Sequence, residues 1–409
     1  MTSFSRNPAK FDRRRFVTSL GCAGAAALIA PASLSRVLAA TTNSSLAGHK
    51  LAAIEFRQID LSWPRHVGKN SRRDVHGHGP KPTIVVLKTD QGAVGWGMIT
   101  GNRKSVEDIQ QSVIGRTVAE LFDPASGIRS NSLLPLDIPL HDLAAVILGQ
   151  PVWKMLGARA ANPMLIYSGM IYFDDLEPAD KPAGLQKVLE NAHWDHTYGY
   201  RHLKVKIGRG GKWMPAAKGL ARDIEVVREI HRALPDCKLL VDGNDMFTVD
   251  TIIAFLKGIE GIELFWVEEP FAETVADWRK LRAWLDANGR GNTWRADGEA
   301  SPDYGVLDEL ATDLTVNVRL DDIHGYGFTR WRKLLPELKE KKITSSPHAW
   351  GSGLNTVYIG HLGAGLGNVL TVEGVTCSQK DVDFGGNRIR NGLLELSSEP
   401  GFGLKLRAA

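Results

Sequence analysis

The chain has 409 residues, of which 50 are basic and 46 are acidic, for a formal net charge of +4 at pH 7. Six of the basic residues but only one acidic residue lie in residues 1–40, so the remainder is close to neutral and gives no support to nucleic-acid binding. Three cysteines are too few for a disulfide scaffold, and the length allows two domains.

Residues 1–40 have the features of a twin-arginine signal peptide. Arg13 and Arg14 precede a weakly apolar stretch rich in Ala and Gly, which ends in small residues at 37–40. Pro31 and the small residues argue against a transmembrane anchor. We therefore expect export by the twin-arginine route to the periplasm or another extracytoplasmic location, without a stable membrane anchor.

Residues 46–162 are predicted to form an α+β capping domain. Three apolar stretches are typical of antiparallel strands, and Asp90-Gln91-Gly92 is predicted to join the last two as a turn. A helical run follows at Leu140–Leu148. The strands are predicted at Leu51–Leu61, Thr83–Thr89 and Ala93–Ile99.

Residues 163–375 alternate between short apolar runs and amphipathic stretches, which is typical of parallel strands joined by helices. Eight such strands in about 200 residues favour a (β/α)7β barrel resembling a TIM barrel. A doubly wound sheet would need a glycine-rich turn after its first strand, whereas Gly363–Gly367 follows a helix. The strands are predicted at Leu165–Gly169, His202–Gly208, Lys238–Asn244, Leu264–Glu269, Arg295–Glu299, Leu314–Arg319, Lys342–His348 and Leu370–Val375.

Helical periodicity fills most of the gaps between these strands. Residues 376–409 are rich in glycine and are expected to pack back on the capping domain. Sequence alone leaves open whether Cys237 and Cys377 form a disulfide. The helices are predicted at Ala183–Ala192, Leu220–Leu234, Thr251–Lys257, Trp278–Ala287, Val306–Leu310, Trp331–Lys339 and Leu354–Leu366.

Acidic residues lie at the ends of three consecutive predicted barrel strands. Asp242, Glu268 and Glu299 end strands three, four and five, at the face of such a barrel where catalytic residues gather. Three converging carboxylates repel one another unless a cation lies among them, and oxygen ligands suit Mg²⁺. The alternative is a salt-bridged barrel mouth in which lysines neutralise the acids.

Lys204 and Lys206 lie on predicted strand two and point to the same face because side chains alternate along a strand. Such a pair is usually solvated, but barrel strands have no solvent face. Since burying a charge is costly, two lysines there indicate a role in the core or at the mouth.

The ends of strands six to eight also carry titratable side chains. Asp321-Asp322 follows strand six, His348 ends strand seven, and Glu373 lies on strand eight. A histidine beside a carboxylate on the neighbouring strand makes an oriented general acid or base. The spacing favours Asp321 over Asp322 as that carboxylate.

This order of residues on successive strands resembles the mandelate-racemase branch of the enolase superfamily, the mandelate racemase/muconate lactonizing enzyme family, over nearly all of the chain beyond residue 40. The resemblance implies that Asp242, Glu268 and Glu299 bind Mg²⁺. The sequence departs from the family pattern after strand six, where Gly325-Tyr326-Gly327 replaces the usual adjacent glycines.

The resemblance also implies the catalytic roles. Lys206 is expected to be the base on one face of a substrate carboxylate, with Lys204 lowering its pKa. His348, oriented by Asp321, is expected to act on the other face. Glu373 is expected to donate a hydrogen bond or proton to a carboxylate oxygen.

These roles fit abstraction of the proton next to a carboxylate, most simply dehydration of a sugar acid to a 2-keto-3-deoxy acid. Residues 62–82 are rich in basic side chains and histidine, which suits a polyhydroxylated anion. The predicted substrate contacts are Asn244, His66, Arg72 and His76. The basic side chains of the segment are Arg65, Lys69, Arg72, Arg73 and Lys81.

Other functions are compatible with parts of this pattern. A racemase or epimerase of a 2-hydroxy acid uses the same two faces. Muconate-cycloisomerase-like and dipeptide-epimerase-like relatives carry a lysine after strand six, where this chain has Asp321 and His324. An exported sugar-acid binding protein would not need Lys206 and His348. The expected partner is a small-molecule carboxylate, and a homo-oligomer is expected.

Overall fold

The structure, a computed structural model, describes residues 44–408. The predicted signal peptide, residues 1–40, lies outside the described residues, so its export role stays a prediction. Among the described residues, no helix is long and apolar enough to cross a membrane. Cys237 and Cys377 are both free thiols.

The capping domain is built on a three-stranded antiparallel sheet in the order β1-β2-β3. A helix, α3, packs closely on this sheet because two glycines of β3 leave room for it. A Cβ at Gly95 would lie 2.4 Å from Leu143, and one at Gly97 would lie 2.6 Å from Ile138. The elements are β1 (Leu51–Gln58), β2 (Thr83–Thr89), β3 (Val94–Met98), α1 (Arg103–Val113), α2 (Val118–Leu121), β4 (Phe122–Asp123), β5 (Gly127–Ile128), α3 (Asp137–Ile147) and α4 (Val152–Met155).

The second part is a closed parallel barrel of eight strands, β6 to β13, in sequence order. It closes because β13 pairs in parallel with β6, and a parallel bridge joins Ser345 on β12 to Val369 just before β13. The strands are β6 (Met164–Ile171), β7 (His202–Lys206), β8 (Lys238–Asp242), β9 (Leu264–Glu268), β10 (Trp294–Asp297), β11 (Val318–Arg319), β12 (Thr344–Ser345) and β13 (Val372–Gly374).

Helices follow every barrel strand except the last, so the predicted (β/α)7β architecture is confirmed. The short helices α6 and α11 were not predicted. The helices are α5 (Leu185–Tyr198), α6 (Arg209–Lys212), α7 (Ala216–Ala233), α8 (Val249–Gly258), α9 (Val275–Ala287), α10 (Tyr304–Thr312), α11 (Ile323–Tyr326), α12 (Phe328–Glu340) and α13 (Gly353–Leu366).

Strands six and seven of the barrel are much shorter than predicted. The backbone turns at Leu314 and Lys342, where φ is +61° at both residues, so neither position can begin a strand. Single backbone hydrogen bonds still join these stretches to their neighbours beyond the short strands, such as the Asn317 N–H to the Arg295 carbonyl at 3.0 Å and the His348 N–H to the Leu320 carbonyl at 2.8 Å.

The C-terminal segment contacts both the barrel and the capping domain. Its strand β16 pairs antiparallel with β6 of the barrel. Toward the capping domain, the Phe402 backbone N–H donates to Asp142 Oδ1 at 2.9 Å, and Trp153 Nε1 donates to the Ser397 carbonyl at 2.9 Å. Its strands are β14 (Val382–Asp383), β15 (Arg388–Arg390), β16 (Leu393–Glu395) and β17 (Lys405–Leu406).

The barrel interior is filled by apolar side chains below the ends of its strands. This small cluster leaves the charged residues above it as the lining of the barrel mouth. A much larger apolar core is shared by the capping sheet, the barrel helices and the C-terminal segment. The interior cluster consists of Tyr167, Leu240, Trp266, Ala296, Val318 and Leu320.

Candidate active site

The register of the barrel strands brings the charged residues together. In the parallel ladder Lys206 lies beside Asp242, and Asp242 lies beside Glu268. Strand β10 continues the ladder, with Ala296 beside Glu268, and the chain beyond β10 carries Glu299 to the same edge. Carboxylates from three neighbouring strands therefore meet at the barrel mouth.

The three predicted metal ligands form one compact carboxylate group. One ligand oxygen each from Asp242, Glu268 and Glu299 lie within 4.8 Å of one another. Asp242 and Glu268 are fully buried, and the outer oxygens Glu268 Oε2 and Glu299 Oε2 are buried without any hydrogen-bond partner. Burial and the neighbouring Asp242 raise the pKa of Glu268 against the opposing effect of Lys204, so the protein compensates its negative charge only in part. The oxygen-only set and its orphaned atoms fit Mg²⁺.

Two lysines line the inner side of this group. Lys204 Nζ lies 2.7 Å from Glu268 Oε1, 3.3 Å from Asp242 Oδ2 and 3.1 Å from Glu373 Oε1. Lys206 Nζ forms a very short ion pair with Asp242 Oδ2. Part of the salt-bridged alternative is therefore present, yet it leaves the unpartnered oxygens of Glu268 and Glu299 available to a cation.

Lys206 carries a positive charge in this structure, whereas a base must be neutral to accept a proton. Burial lowers the pKa of Lys206, but the Asp242 carboxylate raises it, and the net shift is upward. The expected lowering by Lys204 is present and smaller. In this arrangement Lys206 is an ammonium, so a cation that competes for Asp242 must weaken the pair before Lys206 can accept a proton.

The loop that follows Lys206 is held by a buried ionic cluster. The Arg209 guanidinium is fully buried and pairs with Asp175 at 2.8 Å and Asp223 at 2.7 Å. Asp223 also accepts the backbone N–H groups of Gly208 and Arg209. These bonds fix the end of β7, on which Lys206 lies, against α7 and the segment after β6.

His348 is oriented by Asp322 and not by Asp321, which corrects the prediction. His348 Nδ1 lies 2.5 Å from Asp322 Oδ1, and the two residues also form a parallel backbone bridge. Asp321 instead accepts hydrogen bonds from the Tyr304 hydroxyl at 2.6 Å and from Arg319 Nε at 2.7 Å. Neighbouring residues of an extended chain point to opposite sides, so only one of the two acids can face His348.

The other ring nitrogen of His348 faces the carboxylate group. Its Nε2 lies 3.3 Å from Glu299 Oε1 and 3.7 Å from Glu373 Oε2. Burial lowers the pKa of His348, but Glu299, Glu373 and the Asp322 hydrogen bond raise it to about 9. His348 therefore carries a proton at neutral pH in this arrangement.

Glu373 is an acceptor in this structure, whereas a donor role was predicted. Burial raises the pKa of Glu373, but Lys204, His348 and the Ala349 backbone N–H lower it, and the net shift is downward. Its Oε2 accepts from that N–H at 2.7 Å. A Cβ at Gly169 would lie 2.4 Å from Glu373 Oε1, so the carboxylate needs a glycine opposite it on β6.

A cavity of about 370 Å³ opens over the two predicted catalytic faces. It reaches Lys206, Glu299 and His348 below and the capping domain above, and this size suits a small metabolite. Lys206 and His348 both line this cavity. Its lining residues are Asn70, Arg73, His76, Tyr172, Lys206, Glu299, Ala300, Asp322, His324, Gly325, His348 and Trp350.

The predicted substrate contacts are distributed unequally. His76 lines this cavity, whereas Asn244 and Arg72 line a second cavity of about 270 Å³ that shares Asn70, Arg73, Glu299 and Ala300 with the first. Asn244 Oδ1 is buried without a partner. His66 lines neither cavity, because its ring lies 3.7 Å from Asp174 and packs on His78.

Several lining residues were missed from the sequence. Tyr172 and Trp350 stack on each other with ring centroids 4.7 Å apart, and His76 packs edge-on to Tyr172. His324 lies 3.2 Å from Asn355. Tyr172 directly follows β6 and Trp350 lies in the segment between β12 and the next helix, so a position after a barrel strand was the signal that could have found both.

Comparison with known proteins agrees with this geometry. Residues 187–409 match the family model described as enolase C-terminal domain-like. A galacturonate dehydratase variant from Geobacillus sp. complexed with Mg is 32% identical, with a TM-score of 0.82 over 88% of this chain and 93% of that chain. The chain therefore belongs to the enolase superfamily, in the mandelate racemase/muconate lactonizing enzyme family, and it is an enzyme.

Two further relatives show the range of reactions around this fold. The Geobacillus sp. galacturonate dehydratase complexed with D-galacturonate and 5-keto-4-deoxy-D-galacturonate is also 32% identical, with a TM-score of 0.81 over 88% of this chain and 95% of that chain. A D-galactarolactone cycloisomerase from Agrobacterium fabrum is 24% identical over 66% of this chain and 71% of its own length.

Proposed function

We propose that this enzyme dehydrates a sugar acid to the corresponding α-keto-β-deoxy acid. The observation that carries the proposal is the placement of Lys206 and the Asp322-oriented His348 in one cavity, on either side of the carboxylate group. The metal ligands lie at the ends of β8, β9 and β10. In the barrel these strands lie between β7, which carries Lys206, and β12, which precedes His348. The relatives that act on sugar acids support the same reaction.

Asp242, Glu268 and Glu299 would hold Mg²⁺, as the fit of their orphaned oxygens and the Mg-complexed relative indicate. Bound there, Mg²⁺ withdraws charge from the substrate carboxylate and so makes the neighbouring proton more acidic. Asp242 would then share its negative charge with the ion, so its effect on the pKa of Lys206 would weaken and the Lys206 ammonium would release its proton more readily to become a base.

The chain's own side chains then carry the proton transfers. Lys206 removes the proton from the carbon next to the carboxylate, and the electrons of that C–H bond pass into the carboxylate to give an enediolate. When the enediolate collapses, the β-carbon loses its hydroxyl group, to which His348 donates a proton to form water. The remaining enol takes up a proton at the β-carbon and becomes the α-keto acid.

The 5-keto-4-deoxy compound bound to the Geobacillus relative has this α-keto-β-deoxy relation, counted from its carboxylate. D-Galacturonate is therefore the first compound to test, within a panel of uronates, aldonates and aldarates supplied with Mg²⁺. The proposal predicts loss of water and a keto-deoxy acid by NMR. A panel that gives only epimers would contradict it and favour the racemase alternative, which shares the first step.

Substitutions of Lys206 and His348 test the proton-transfer roles proposed for these two residues. Lys206→Ala and His348→Asn should each abolish turnover, while added Mg²⁺ still raises the melting temperature of both variants. Full activity in either variant would remove that residue from the mechanism. A variant that loses the Mg²⁺ response as well would show damage to the metal site.

We also propose that the enzyme works outside the cytoplasm after twin-arginine export, on the strength of Arg13, Arg14 and the apolar stretch after them. A fusion of residues 1–45 to a reporter that is active only after twin-arginine export tests this. Replacing Arg13 and Arg14 with lysine should abolish the signal. Unchanged export would contradict the proposal.

A further inference from the structure

The basic side chains of the capping segment, residues 62–82, are mostly neutralised by the protein itself. Four of them form ion pairs with acidic side chains, and three of those acids belong to the barrel region. The positive charge that the sequence suggested for binding an anionic substrate is therefore largely neutralised by ion pairs within the protein. The pairs are Arg65–Asp195 at 2.9 Å, Lys69–Glu177 at 2.7 Å, Arg72–Asp245 at 2.5 Å and Lys81–Asp60 at 3.7 Å.

Arg73 is the exception among the lysines and arginines of this fully described segment. Its backbone N–H and carbonyl bond to Asn70, but its guanidinium has no hydrogen-bond or ion-pair partner within the described residues. Arg73 lines both cavities beside Glu299, and its charge contributes to the lowered pKa of His76, which follows first from burial. The unpaired guanidinium of Arg73 therefore lies where the two cavities meet.

The acids that line the second cavity already have partners. Asp245 pairs with Arg72, Glu269 Oε1 accepts the Glu299 backbone N–H at 3.0 Å, and Glu273 Oε1 accepts the Asp303 backbone N–H at 3.2 Å. Arg73 is exposed, and an unpaired guanidinium beside a substrate cavity is suited to bidentate recognition of a carboxylate.

We propose that Arg73 determines the end-group specificity of the enzyme by binding a carboxylate at the far end of the substrate. This inference rests on the proposed function, in which the reacting carboxylate lies at Asp242, Glu268 and Glu299. The rest of the sugar chain then extends toward the capping segment, where Arg73 is the unpaired basic side chain. Among sugar acids of one configuration, the diacid should therefore be preferred over the aldehyde acid and the hydroxy acid.

A matched series of ligands tests this preference. Galactarate, D-galacturonate and L-galactonate share their configuration when read from one carboxylate and differ only in the far end group. If the panel selects another configuration, the corresponding three compounds are used. Turnover is measured with the wild type, and dissociation constants are measured by calorimetry with Mg²⁺ in the His348→Asn background, where turnover is removed.

Arg73→Gln should weaken diacid binding and kcat/KM by about 10- to 100-fold, the usual loss of a charge-assisted bidentate contact. The other two acids should change by less than about 3-fold, because they present no far-end charge to Arg73. Arg73→Lys should recover part of the preference. Lys81→Gln, which removes the same charge from a residue of the same segment that lines neither cavity, should leave all three ligands unaffected.

Three outcomes would overturn the inference: a wild type that does not favour the diacid, an equal loss for all three ligands in Arg73→Gln, or no loss for any of them. Failure of the proposed function gives a different pattern. In that case the wild type dehydrates no member of the panel, while calorimetry still ranks the three end groups and so still decides the role of Arg73.

Discussion

At the scale of single residues, sequence spacing predicted Asp321 as the partner of His348, whereas the partner in the structure is Asp322. Asp321 and Asp322 are adjacent, so their spacings to His348 differ by only one position. Their side chains nevertheless point to opposite sides of the extended chain, and spacing alone cannot tell which one faces His348. The backbone bridge between Asp322 and His348 decides which acid contacts the imidazole. Such a bridge depends on how β11 and β12 end, which the sequence does not reveal.

We predict that Asp322→Asn lowers kcat at least about 100-fold, because an amide cannot stabilise the protonated imidazole or hold its tautomer. The matched variant Asp321→Asn leaves His348 in place and should change kcat by less than about 5-fold, since only the contacts to Tyr304 and Arg319 are altered. Steady-state kinetics on both purified variants measure this. Equal losses, or the larger loss in Asp321→Asn, would contradict the assignment.

The carboxylate group and the lysines could be predicted at the residue scale because their strands are long and regular. β7, β8 and β9 each end in a charged residue after an apolar stretch, so the rule that catalytic residues gather at strand ends leads directly to Lys206, Asp242 and Glu268. The capping-segment residues could not be assigned the same way. Three of their four ion pairs join positions more than 100 residues apart, as for Arg65 and Asp195.

At the scale of the elements, the C-terminal segment is tied to the capping domain through one buried carboxylate on α3. Asp142 Oδ1 accepts the Phe402 backbone N–H at 2.9 Å, and Asp142 Oδ2 accepts the Trp96 backbone N–H of β3 at 2.9 Å. Both oxygens are thus used as acceptors, and the residue is 4% exposed. One side chain therefore joins three separate elements.

We predict that Asp142→Asn lowers the free energy of unfolding by about 1–3 kcal/mol, because the amide replaces one acceptor with a donor that faces a buried N–H. The exposed ion-pair variant Asp250→Asn should cost less than about 1 kcal/mol. Denaturant unfolding of both variants with matched Mg²⁺ makes the comparison. A cost for Asp142→Asn no larger than that of the surface variant would show that the tail is held elsewhere.

The positions of most helices and strands followed from periodicity, and the errors have local causes. Helix α7 was predicted within a few residues of its ends because its apolar stripe is regular. Strands β11 and β12 were overextended because left-handed turns at Leu314 and Lys342 interrupt apolar runs without a glycine or proline to mark them. The pairing of β16 with β6 was missed because the two strands are more than 200 residues apart.

At the scale of the whole molecule, the barrel brings acids and bases from seven strand ends to one mouth, and the capping domain closes a cavity over them. Alternation of strands and helices was enough to predict this architecture, since eight parallel strands of this length close most simply as a barrel. The residues that line the cavity could not be assigned without the structure. They depend on how the capping segment lies over β6 and β12, where Tyr172 and Trp350 meet.

The central claim is that Asp242, Glu268 and Glu299 bind Mg²⁺ where Lys206 and His348 can act on one substrate. NMR of the turnover reaction in D₂O tests it most directly, with the enzyme first stripped of metal and then resupplied with Mg²⁺. We expect a keto-deoxy acid with one deuterium at the carbon that lost its hydroxyl, formed only when Mg²⁺ is present. Turnover that persists after metal removal, or a sugar-acid panel that shows neither water loss nor deuterium uptake with Mg²⁺, would contradict the claim.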